Sequence, residues 1–227
     1  MSHTAVGSMS DWSGSLKDLA RQIDDGSFTL EMLKDAVAHK QVCRLRKGDT
    51  VESIYKDQLT RWEDRWKRDL SGLYIPEHQE GFDRLLVIPQ GMRPNKAFDR
   101  FVFMGVKAWR YITDLDSVVS DRLANADHAA WVRDQQEADD EFRSMSADDC
   151  LRQLVSGITL EEQLVFGEDY FLETGKHLNE KSITLCTGSR IPGGSVPSVR
   201  WHGGEVCVYW SDVRRARPDV GTRQVVS

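Results

Sequence analysis

From Leu16 to Leu70 the apolar residues recur at helical intervals. Leu16, Leu19 and Ile23 form one such set, and Leu30, Leu33 and Val37 a second, with a break at Asp25-Gly26-Ser27. Asp49-Thr50-Val51-Glu52 has the grammar of a helix start, with Asp49 as cap and Glu52 three residues on. Ile54, Tyr55, Leu59, Trp62, Trp66 and Leu70 then line one side. Residues 14–75 are therefore expected to form a helical N-terminal region. The mixed charges of Arg61-Trp62-Glu63-Asp64-Arg65-Trp66-Lys67-Arg68 are expected on a solvated helix face.

Beyond Pro76 and a polar run to Gly81 the pattern changes. Leu85-Leu86-Val87-Ile88 reads as a short buried strand stopped by Pro89 and Gly91. Pro94 suits the first turn of a helix, followed by Ala97, Phe98, Phe101 and Val102. Ala129-Ala130-Trp131-Val132 is a second candidate strand. Ser146-Ala147-Asp148-Asp149 and Thr159-Leu160-Glu161-Glu162 both have capping-box spacing. The second opens a helix carrying Leu160, Leu164, Gly167 and Phe171, which Gly175 ends as a left-handed residue.

The most informative stretch runs from Val196 to Trp210. It alternates on both sides of Gly203-Gly204, and two glycines satisfy the positive φ of a type I′ turn. That turn pairs His202 with Glu205, Trp201 with Val206, Arg200 with Cys207, Val199 with Val208 and Ser198 with Tyr209. Val199, Trp201, Val206, Val208 and Trp210 then share a face expected in the core. Ser198, Arg200, His202, Cys207 and Tyr209 share the other, expected outside. A one-residue slip would exchange the two sets, so the register is well specified.

Composition narrows the function. The chain has 227 residues, 40% hydrophobic and 29% charged, enough for a buried core. A net charge of −6 argues against a broad basic nucleic-acid surface. No apolar run is long enough to span a bilayer. Residues 1–13 read as a flexible leader without the layout of a secretory signal. Cys43, Cys150, Cys186 and Cys207 are scattered, as reduced thiols of a cytoplasmic protein would be.

Three fragments in order carry a resemblance. Thr174-Gly175-Lys176-His177-Leu178 follows a helix, Gly188-Ser189-Arg190 enters the terminal region, and Gly221-Thr222-Arg223-Gln224-Val225 closes it. Together they resemble the C-type lectin fold, in the version found in formylglycine-generating-enzyme-like proteins and in variable proteins of diversity-generating retroelements. The last two-thirds is also similar to a group of multicopy bacterial proteins that share an S-R, a V-P-x-V-x-W and a final strand. The resemblance covers about residues 81–227. Gly193-Gly194-Ser195 departs from the G-G-S-W of the enzyme branch by continuing into Val196.

The resemblance implies an α+β protein: a helical N-terminal region, then a C-type-lectin-like domain over 81–227 with a C-terminal β-hairpin. It implies a display protein that binds an unknown protein or small ligand and is not an enzyme. Adenine-directed mutagenesis of Asn-type codons reaches a limited residue set. The outward positions Ile191, Ser198, Arg200, His202, Cys207, Tyr209, Ser211, Asp212, Val213, Arg214 and Ala216 fall inside it. These are the expected ligand-binding residues. Homo-oligomers through the N-terminal helices are compatible with this reading.

The alternative is an oxidase or other enzyme on the related fold. An oxidase of that type needs two adjacent cysteines on copper, and Cys186 and Cys207 do not match its motif. His177, His202 and Cys207 lack metal-ligand spacing, so neither metal nor cofactor is expected. No G-x-S-x-G, P-loop or H-E-x-x-H is present. Glu137, Asp139, Asp140 and Glu141 are expected on a solvated helix face. Arg214-Arg215-Ala216-Arg217 is expected in a solvated loop adjoining the binding surface.

Overall fold

The computed structural model describes residues 51–122 and 124–227, with side chains from Tyr55 onward. The helices expected over residues 14–48, the Asp49 cap and Cys43 lie outside the described residues. Asp57–Ser227 form one compact unit. Its helices and mixed sheets make it α+β.

Helix α1 (Val51–Trp66) presents Trp62 and Trp66 to strand β1 (Arg84–Ile88). The Trp62 indole N–H donates to the Leu85 carbonyl at 2.8 Å and that of Trp66 to Val87 at 3.0 Å. Gln58 accepts from the Leu85 amide and donates to the Asp83 carbonyl. Side chains of α1 thus occupy one edge of β1, while β4 (His128–Val132) pairs antiparallel with the other. This relieves an edge strand of open backbone groups. Every residue of β1 is buried, as a continuous apolar run requires.

The expected solvated face of Arg61–Arg68 is corrected here. Arg61, Arg65 and Arg84 converge on the fully buried Asp169 at 3.2, 2.6 and 2.6 Å. Arg84 also pairs with Asp134 and Glu173, each at 2.7 Å. Helical periodicity placed the arginines on one side of α1. It had no information that a carboxylate from a distant helix waits there.

Helix α2 (Pro94–Phe103) and strand β2 (Ala108–Arg110) follow, then β3 (Val119–Ser120), which pairs with β6 (Ser189–Arg190). The Glu137–Glu141 cluster is not a helix face. Asp140–Phe142 forms a single 3-10 turn, and Asp139 is buried, accepting from Arg133 and from the Gln224 amide, each at 2.8 Å.

Helices α3 (Ala147–Arg152) and α4 (Leu160–Thr174) both begin in complete capping boxes, on Ser146 and Thr159. Gly175 ends α4 at φ +69°. Leu160 through Asp169 are all buried, so α4 is enclosed on every side and not only along its apolar stripe. Its buried glutamates are accordingly partnered. Glu161 accepts from Ser120, Glu162 from Arg122, and Glu168 from Arg100. Gly167 lets Phe101 of α2 approach, since a Cβ there would lie 3.1 Å from the ring.

The main sheet has the order β2-β8-β7-β5-β9, with β5 at Ile183–Leu185, β7 at Val196–His202, β8 at Glu205–Ser211 and β9 at Val220–Thr222. The hairpin pairs in the expected register, from His202 with Glu205 to Val196 with Ser211. Gly203 and Gly204 take φ +62° and +82°. One face packs under α4 and α2. The other is roofed at the β5–β9 end by Ala147, Leu185, Val196 and Val220, with Ile183 and Val213 against them.

This second roof corrects part of the expected division. Ser198 is only 2% exposed and Cys207 3% exposed, so neither stands in solvent. Val213 packs against the small core and does not project from it. Trp210, expected in the core, is 46% exposed because α4 and α2 do not extend over that end of the hairpin. Trp201 is half-buried, stacked flat on His177 with centroids 3.5 Å apart.

Candidate functional site

The candidate site lies where the second face is open, at the β2–β8 edge. β2 runs parallel to β8, with Ala108 opposite Val206, Trp109 opposite Cys207 and Arg110 opposite Val208. Alternation puts Lys107, Trp109 and Tyr111 on the side of Cys207 and Tyr209. Trp109 lies over Tyr209, with ring centroids 5.0 Å apart. Tyr111 comes within 6.3 Å of Trp109 and 6.2 Å of Trp210, so the aromatic group continues around the sheet edge. Trp109 is 41% and Tyr111 62% exposed. Four adjoining aromatic rings, all accessible, are an unusual way to leave apolar area in water.

Trp109 also explains the buried thiol, because it stands opposite Cys207 in the register and helps cover it. The sulfur is 3.8 and 3.7 Å from the carbonyl oxygens of His202 and Glu205. Burial pushes the thiol above its ordinary pKa, against the pull of the Tyr209 hydroxyl. Burial and the thiol together push the Tyr209 phenol up. Both groups are neutral near pH 7, hydrogen-bonding and apolar in character and not nucleophilic.

Arg200 neighbours this group on β7. Its Nε has no hydrogen-bond partner, and its charge reaches Cys207, Tyr209 and Asp219. His202 is exposed at the hairpin tip. The remaining expected residues divide. Ser211 donates to the buried Ser198 at 3.2 Å. Asp212 accepts from the Arg214 amide in an exposed turn, which also leaves Ala216 exposed. Ile191 lies in the turn before β7, closed by its amide on Ser195, at the opposite end of the strand from His202. The structure therefore gathers Arg200, Cys207 and Tyr209, and places Ile191, Asp212, Arg214 and Ala216 elsewhere on the rim.

Trp109 and Tyr111 were missed in the sequence, though a signal existed. Trp109-Arg110-Tyr111 alternates aromatic, charged, aromatic shortly after Gly105. Its brevity hides it beside the stronger helix before it.

On the opposite face, Phe171, His177 and Trp201 form a three-ring stack. Burial holds the His177 imidazole below its ordinary pKa, against Glu180. Behind the stack a narrow pocket, with room for about one water, borders Phe101, Gln163 and Val199. Gln163 Oε1 is buried there without a partner.

Cys186 follows Leu185 and turns to the face opposite Cys207, so these thiols do not converge on one metal. Cys150, Cys186 and Cys207 are all free and buried. Among the described residues no group of three or more His, Cys, Asp or Glu is arranged to hold a metal ion. No helix among them is long and apolar enough to cross a membrane. The chain matches no family model, no curated protein and no solved structure.

Proposed function

We propose that this chain is a binding protein whose contact surface is the open β2–β8 edge of the main sheet. The observation that carries the reading is the contiguous group of exposed Trp109, Tyr111 and Trp210 with half-buried Tyr209, beside Arg200. Aromatic and arginine side chains supply most of the energy at protein recognition surfaces, because they bury large areas at low entropic cost. The hairpin beneath holds them in a defined register. A surface of this kind binds shallowly and needs no converging acid–base pair.

In the retroelement reading, His202, Tyr209, Asp212, Arg214 and Ala216 are the accessible positions open to diversification. Ser198, Cys207 and Val213 belong to the packed scaffold. The cell's interior is the proposed location, on the unpaired cysteines and the absence of a spanning helix among the described residues.

The test is a paired binding and stability measurement. Trp109→Ala with Tyr209→Ala is expected to abolish capture of partners from the native host while thermal unfolding shifts only a few degrees. Replacement of the distant exposed residues Leu154 and Leu172 serves as the control. Retained capture in the aromatic double variant overturns the reading. Sequencing near-copies of the locus tests diversification separately: differences confined to adenines at the accessible positions support it.

A further inference from the structure

We infer that the occupant of this surface is an acidic peptide segment that adds as a strand to the free edge of β2. The inference rests on the binding reading above and assigns its ligand class.

The first observation is the backbone. In the β2–β8 ladder the Lys107 carbonyl accepts from the Val206 amide, and the Tyr111 amide donates to the Val208 carbonyl. A parallel ladder spends alternate residues in this way. The N–H and C=O groups of Ala108 and Arg110 therefore point away from β8, and β2 is the last strand of its sheet. Short edge strands bearing a lysine are ordinary protection against unwanted pairing. This one also bears two exposed aromatics, Trp109 and Tyr111, which protection does not call for. An added strand would bury them against its alternate side chains, as in strand-addition recognition.

The second observation is charge. Lys107 is exposed just before the edge strand, and Arg200 stands behind Tyr209. Glu205 is the nearby carboxylate at the hairpin tip. Arg214 and Arg217 are already matched by Asp212 and Asp219. This edge is therefore locally basic on a chain of net charge −6. Such a surface favours an acidic partner and disfavours a second copy of an equally acidic chain. A strand with acidic residues flanking apolar ones satisfies both backbone and field.

The test uses the full chain as bait for a displayed library of random linear peptides, with the Trp109→Ala protein as counter-selection. The enriched peptides are expected to be acidic, with apolar residues at alternate positions. Synthetic copies N-methylated at alternate amides should bind at least tenfold more weakly, because a strand needs those donors. Lys107→Glu alters an exposed side chain outside the ladder and should also weaken binding about tenfold.

Enrichment of neutral or basic peptides overturns the inference, as does indifference to every N-methylation pattern. In either case the aromatic surface itself stands, provided Trp109 is required. Binding of a labelled oligothymidylate through Trp109, with no peptide enriched, also overturns the peptide and keeps the surface. Failure of every probe to distinguish parent from Trp109→Ala removes both.

Discussion

Trp109 and Tyr209 meet across the parallel pairing of β2 and β8 with ring centroids 5.0 Å apart, and Trp109 stands over the Cys207 position. The hairpin supplies half of this contact and a three-residue strand from the other half of the chain supplies the rest. The surface thus exists only when the non-local pairing forms. That dependence separates side chains that hold the sheet from those available to a partner.

Two positions on one face of β8 should differ sharply in their tolerance of truncation. Val208 is fully buried, so Val208→Ala is expected to cost about 2 kcal/mol in denaturant unfolding. Trp210→Ala removes a much larger side chain from a half-open position and should cost less, within about 1 kcal/mol. Equal losses would mean that the hairpin end is covered.

The turn should reject side chains on conformational grounds alone. No atom lies within 4 Å of a Cβ built at Gly203 or Gly204, yet both have positive φ. Alanine at either is expected to cost about 1–2 kcal/mol. Asparagine at Gly203 should recover part of that loss, since it tolerates the left-handed region. Urea midpoints of the three variants give the comparison.

Asp169 should be among the least replaceable residues. It is fully buried and faces Arg61, Arg65 and Arg84. Asp169→Ala leaves those guanidinium groups with fewer carboxylates, and the expected loss is about 3–5 kcal/mol. Arg84→Met should also be severe, because Asp169, Glu173 and Asp134 each lose a guanidinium partner. The double variant should lose less than the sum of the singles, as expected for one network.

Acid stability should carry the signature of Glu162. Burial alone would raise its carboxyl; Arg122, His128 and the Thr159 amide outweigh burial and hold it down at about 2. A depressed carboxyl stabilises the fold above its unfolded pKa of about 4.3 and loses that contribution as pH falls toward its folded value. The amount is on the order of 3 kcal/mol. Burial raises the neighbouring Glu161, so acid relieves that group and offsets part of the loss. Glu162→Gln should lower the melting temperature at pH 7 and flatten its decline between pH 5 and 3.

Local chemistry was legible from the chain alone. Capping boxes at Ser146 and Thr159, the Gly175 stop, the β1 and β4 strands and the hairpin register all depend on residues near one another in sequence, and the structure contains each of them. Period-two alternation separated the two faces of the hairpin but did not say what covers each. The core of Ala147, Leu185, Val196 and Val220 buries Ser198's end of the polar face, and short helices leave Trp210 in solvent. The candidate edge itself came from pairing β2 with β8, and the Asp169 cluster from packing α1 and β1 against α4. Such contacts join segments far apart along the chain, and their geometry is set by which surfaces fit together, a property no local pattern encodes.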